Sequence, residues 1–112
     1  MSTREFGIES TATDDWRIVS VRGDIDVASA PKLRSALDSA EPGRLGVVVD
    51  MARVSFLDSG GLSVLVGAQA RAGEQGHQMR VVADEPRVLR VLEITGLDVV
   101  FAVFPTLEKA TA

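Results

Sequence analysis

The sequence predicts one α/β domain over residues 1–112, with a small mixed sheet and about four helices. Two observations carry this. The first stretch alternates apolar and polar residues, as a half-buried hairpin does. The remainder alternates β-branched apolar runs with segments of helical period. A chain of 112 residues fits one core.

The elements follow in order. Phe6 and Ile8 alternate with polar neighbours and suggest a first strand. Thr13-Asp14-Asp15 is a turn-like cluster, and Trp16 to Gly23 alternates again, giving a second strand hairpinned to the first. Gly23-Asp24-Ile25-Asp26 reads as a polar loop. Ser29, Ala30 and Pro31 then open a helix, since proline is tolerated in a first turn. Leu33, Ala36, Leu37 and Ala40 form its apolar face, and Pro42-Gly43 ends it.

Val47-Val48-Val49 suits a central strand buried on both faces. Phe56-Leu57 leads into Asp58-Ser59-Gly60-Gly61, where a helix begins and runs to about Gly73. Met79 to Ala83 reads as a fourth strand. A further helix starts at Pro86, capped by Asp84 or Glu85 and stopped at Gly96. Val88, Val91, Leu92 and Thr95 share one of its faces. Val99 to Phe104 reads as a last strand, and Pro105 to Ala110 as a short helix.

Composition excludes several functions. The net charge of −4 leaves no basic stripe for nucleic acid. With no Cys and a single His, disulfides and transition-metal sites are not expected. No P-loop or G-x-G-x-x-G is present, and no cofactor is expected. Met1 to Gly7 lacks an apolar signal core, and no apolar run approaches the ~20 residues of a membrane helix, so a cytoplasmic protein with no membrane partner is the expectation. Asp58-Ser59-Gly60-Gly61 resembles the nucleophile segment of chymotrypsin-like proteases over four residues only. His77 follows that Ser, whereas in those proteases the His precedes it, and no enzyme activity is expected. His77 itself reads as a solvated residue of a Gly76-His77-Gln78 turn.

Ser59 is the residue of interest. Serine is a favoured helix N-cap, worth ~1 kcal/mol over alanine, and capping alone would account for it. Yet Gly60 and Gly61 follow, and glycine costs ~1 kcal/mol in a helix interior. The glycine pair strips side chains from around the hydroxyl. Gly61, Val64, Leu65, Ala68 and Ala72 form the conventional apolar stripe, while Leu62, Ser63 and Val66 lie on the side shared with Ser59. That second face suits either deeper burial or a partner.

Four segments of the chain resemble STAS domains (sulfate transporter and anti-sigma-factor antagonist) in order and spacing. They are Val21-Arg22-Gly23-Asp24-Ile25-Asp26 followed by Ala30 and Leu33; Val47-Val48-Val49-Asp50-Met51; Val54-Ser55-Phe56-Leu57-Asp58-Ser59-Gly60-Gly61-Leu62; and Val88-Leu89-Arg90-Val91-Leu92-Glu93-Ile94-Thr95-Gly96-Leu97. The resemblance implies a small mixed sheet with helices around it. It implies an anti-sigma factor antagonist whose unphosphorylated form binds an anti-sigma factor that is also a serine kinase. Ser59 corresponds to the phosphoacceptor, and a metal-dependent serine/threonine phosphatase is the implied opposing partner. Asp24 matches the acidic loop position. Together with the second face of the helix, this gives an expected contact set of Asp24, Asp26, Asp58, Ser59, Gly60, Gly61, Leu62, Ser63 and Val66. Many relatives carry a second hydroxyl after the acceptor, and here Gly60 stands there. The alternatives are a soluble STAS subunit of a membrane transporter and a component of a signalling scaffold.

Overall fold

The computed structural model describes residues 5–112. Residues 1–4 of the stretch read above for a signal core lie outside the described residues. Five strands form one mixed sheet in the order β1-β2-β3-β4-β5. These are β1 Gly7–Ala12, β2 Trp16–Ile25, β3 Gly46–Leu57, β4 Gln78–Val82 and β5 Ala102–Phe104. The helices are α1 Ala30–Ser39, α2 Ser59–Glu74, α3 Pro86–Ile94 and α4 Leu107–Thr111, with a 3-10 turn at Leu97–Val99.

The hairpin is antiparallel, with Gly7 opposite Arg22 and Ala12 opposite Arg17. The pairs β2–β3, β3–β4 and β4–β5 are parallel. Parallel neighbours need crossover connections, and α1, α2 and α3 supply them. The central run behaves as its composition demands: Val48 and Val49 are fully buried, on opposite faces.

Two cores result. The larger lies under α1, α2 and α3 and contains Val19, Ile25, Leu33, Met51, Leu65, Val81, Val88 and Leu92. The smaller lies under α4 and contains Trp16, Ile18, Val48, Val82 and Ala110. Arg80 ties this second core together. Its guanidinium sits 4.6 Å from the Trp16 ring centroid and 5.3 Å from that of Phe104, and it donates to the Ala110 carbonyl at 2.9 Å. The cation thus stacks on aromatic faces while satisfying a carbonyl of a helix end. Gly46 occupies a position only glycine tolerates. Its φ is +146°, and a Cβ there would come within 1.9 Å of the Gln78 carbonyl oxygen.

Several expectations need correction. Gly23-Asp24-Ile25 is not loop but the end of β2, because register shifts against β3 let pairing continue to Ile25 opposite Leu57. The Phe56-Leu57 pair belongs to the same long strand as Val47-Val48-Val49. The last strand is shorter than Val99 to Phe104, because Leu97–Val99 winds as a 3-10 turn after Gly96, and the Phe101 amide returns to the Leu97 carbonyl at 2.9 Å. Of the two capping candidates for α3, Glu85 is the one used, accepting from the Arg87 amide. Thr95 is exposed and bonds back to the Val91 carbonyl at 2.7 Å, so it leaves the apolar face to Val88, Val91 and Leu92. No described helix is long and apolar enough to cross a membrane.

Helix α2 separates its faces sharply. Leu65 is fully buried, whereas Val66 is 41% exposed. Leu65→Ala should lower unfolding free energy by about 2–5 kcal/mol in urea titration, and Val66→Ala by less than about 0.5 kcal/mol.

Candidate functional site

Parallel pairing sets the C-terminal ends of β2 and β3 side by side. The loop that enters α1 and the first turn of α2 therefore meet at one end of the sheet. The Asp58 amide donates to the Ile25 carbonyl at 3.1 Å. A Cβ on Gly60 would lie 3.7 Å from that of Ala30, so the two helix starts are in near contact.

The cap expected at Ser59 is Asp58 instead. Asp58 is extended, with φ −104° and ψ −174°, and its Oδ1 accepts from the amides of Gly60 at 2.9 Å and Gly61 at 3.2 Å. A carboxylate at this place also complements the positive end of the helix. Ser59 becomes the first helical residue and is exposed. Its carbonyl accepts from Ser63 Oγ at 3.0 Å, so Ser63 is held on the helix surface one turn on. The hydroxyl of Ser59 is thereby released from the capping duty that its position suggests.

Gly61 is explained by contact. A Cβ there would come within 2.5 Å of Ile25 Cγ2 and Leu57 Cδ1. The helix start sits directly on the strand ends, and no other residue fits. Leu62, expected on the shared face, is 8% exposed and belongs to the larger core. The second apolar face therefore divides: Leu62 goes to burial, and Ser63 and Val66 remain outside with Ser59.

The neighbouring loop is built by Asp26. Its Oδ1 accepts from the Ala28 amide at 3.0 Å, the Ser29 amide at 3.1 Å and Ser29 Oγ at 3.2 Å. Ser29 is buried, accepts from the Asp26 amide at 2.9 Å and donates to the Asp24 carbonyl at 2.8 Å. Ser29 thus braces the loop without a side-chain cap on α1. The Ser29 amide bond holds the Asp26 carboxyl below its ordinary value of 3.8, with the Ser29 hydroxyl and Ala28 amide adding to it and partial desolvation opposing. Asp24 is half-buried on the strand, one position out of phase with core-facing Ile25, and its Oδ1 is buried without a hydrogen-bond partner among the described residues. Asp24 therefore stands on the opposite side of β2 from the Ile25 core, whereas Asp26, Asp58, Ser59 and Gly60 gather at the two helix starts.

Sequence reasoning missed two residues at this end. Val27 is 80% exposed in the loop and Phe56 is 45% exposed near the end of β3. Neither belongs to a periodic pattern; only the exposure of a large apolar side chain marks them, Val27 in the loop and Phe56 opposite Asp24 on the other face of the sheet. Among the described residues, no group of three or more His, Cys, Asp or Glu is placed to hold a metal ion.

A mixed sheet of this order, with a Ser-Gly-Gly helix start seated where its first two parallel strands end, defines a small α/β module of the STAS type. The model of the STAS domain matches residues 7–110, and the chain belongs to that family. A crystal structure of an anti-sigma factor antagonist from Mycobacterium paratuberculosis is similar at 32% identity, with a TM-score of 0.84 over 98% of this chain and 94% of that one. The anti-sigma-B factor antagonist of Staphylococcus aureus is 32% identical over 93 residues, 82% of this chain and 86% of its own. The anti-sigma factor antagonist SpoIIAA in its unphosphorylated form shares the fold, with a TM-score of 0.73 at 20% identity over 96% of this chain and 93% of that one.

Two outcomes test this geometry. Asp58→Ala should cost about 0.5–2 kcal/mol of stability and Ser59→Ala less than about 0.5 kcal/mol, compared by chemical denaturation. In an NMR titration the Asp26 carboxyl should protonate below pH 3.8. Because the folded pKa is depressed, Asp26 adds stability above its unfolded pKa and loses it as pH falls through the folded one. Asp26→Ala should therefore remove part of the acid-side slope of stability.

Proposed function

We propose that the chain is an anti-sigma factor antagonist controlled by phosphorylation of Ser59. The observation that carries this reading is the release of the Ser59 hydroxyl: Asp58 caps the helix, and Ser59 stands exposed at its first position. The names of the relatives support the antagonist role. The proposed partner is an anti-sigma factor with serine kinase activity, bound by the unphosphorylated form. ATP held by that partner supplies the phosphate, and a metal-dependent serine/threonine phosphatase removes it. This chain performs no catalysis, and its setting is cytoplasmic.

The chemistry suits a switch at an interface. A phosphate on Ser59 adds about −1.5 to −2 charges at pH 7. The positive end of the helix dipole accommodates it without unfolding, while Asp58 keeps the Gly60 and Gly61 amides. A partner that covers the same surface must desolvate that charge beside Asp58 and Asp26, which is unfavourable. The proposed contact surface is Asp26, Asp58, Ser59, Gly60, Ser63 and Val66, with Val27 at its margin. Asp24 and its register partner Phe56 contribute from the strand side. Leu62 and Gly61 act beneath this surface, seating the helix.

Incubation with ATP and the cognate anti-sigma kinase should label the protein, and Ser59→Ala should abolish the label. Ser59→Asp should weaken binding of that partner by at least about tenfold, with an unchanged far-UV circular dichroism spectrum. Label that persists on Ser59→Ala would remove Ser59 as the acceptor, and equal binding by Ser59→Asp would remove the charge mechanism.

A further inference from the structure

At the other end of α2 lies a cleft of about 610 Å³ that the reading of Ser59 does not use. Ala72, on its wall, is about 20 Å along the helix axis from Ser59. Helix α1 and the second half of α2 form its sides, and the starts of β3 and β4 form its floor. Its size falls within the range of small-molecule sites.

The floor is aliphatic, made by Leu37, Val47, Ala68, Ala72 and Met79. The lining holds no Phe, Trp or Tyr, so a nucleobase finds no stacking platform. Polar groups stand at one side. Arg71 Nη2 lies 2.7 Å from Asp38 Oδ1, and Arg34 Nε lies 3.9 Å from Asp38 Oδ2. One carboxylate thus serves two guanidiniums and leaves most of their N–H groups for another acceptor. His77, read from sequence as a solvated turn residue, is half-buried on the same wall, and its Nδ1 is buried with no hydrogen-bond partner among the described residues. Glu41 also lines the cleft, so its anions match its two arginines, and net attraction does not select the ligand. Apolar contact and directed hydrogen bonds do.

We propose that this cleft binds a small aliphatic carboxylate, with its chain on the Leu37–Ala72–Met79 floor and its head accepting from Arg71. The carboxylate offers two oxygens to the two parallel N–H groups of a guanidinium fork, which neither an alcohol nor an amine can do. The site is independent of Ser59 and its modification.

Calorimetric titration of the whole chain with butanoate, hexanoate and octanoate tests this, with octan-1-ol as control and amide shifts recorded by NMR. Saturable binding is expected, with shifts centred on Ala72 and His77. Affinity should rise about fourfold per added methylene. Octan-1-ol and Arg71→Gln should each lower octanoate-type affinity at least tenfold, and Ala68→Phe should fill the floor and abolish it. Arg71 lies at the surface, so Arg71→Gln carries the test if Ala68→Phe fails to fold. Absence of saturable binding, no dependence on chain length, equal binding of octan-1-ol, or unchanged affinity in Arg71→Gln would each overturn the proposal.

Discussion

The seating of α2 on the ends of β2 and β3 is the constraint on which the rest depends. Asp58 supplies the hydrogen bonds, closing onto the amides of Gly60 and Gly61, and Gly61 supplies the clearance against Ile25 and Leu57. A residue with a side chain at position 61 would push the helix away from the strands. The first turn would then lose its register with the Asp26 loop, and Leu62 and Leu65 would leave the larger core. Fold and site therefore share one junction. Ile25, Leu57 and Gly61, which set its clearance, are buried, and Ser59, which it presents, is exposed.

That division suits the switch proposed for so small a domain. Modification of a residue that also caps a helix would trade signalling against stability. Here the two duties fall to neighbours: Asp58 holds the helix, and Ser59 is displayed by it. The helix end is polarised to tolerate an anion, while Asp58 and Asp26 make the surrounding surface intolerant of one when it is covered. In the proposed switch, local acceptance and interfacial rejection come from the same few atoms, separated by whether water is present.

Much of this was legible in the sequence. The hairpin, the central valine run and the helical periods of α1 and α3 each follow from residue pattern, and the family segments located Ser59. What pattern could not resolve was the choice between adjacent candidates. Asp58 and Ser59 are both good caps, and only the backbone conformation of Asp58 decides. Leu62 could face core or partner, since a helix starting one residue earlier rotates it by about 100°. The bulged pairing of β2 with β3 carried Gly23 to Ile25 into the strand, although their composition reads as loop. The cleft near His77 was invisible because it assembles residues from α1, β3, α2 and β4 that have no local pattern in common.

The central claim is that the helix cap and the switch residue are different groups. Amide hydrogen exchange at Gly60 and Gly61, measured before and after phosphorylation of Ser59, tests it most directly. If Asp58 holds both amides independently of the hydroxyl, their protection will be the same in the two forms. A marked loss of protection at Gly60 and Gly61 on phosphorylation would contradict the account, since it would mean that the phosphate displaces the cap.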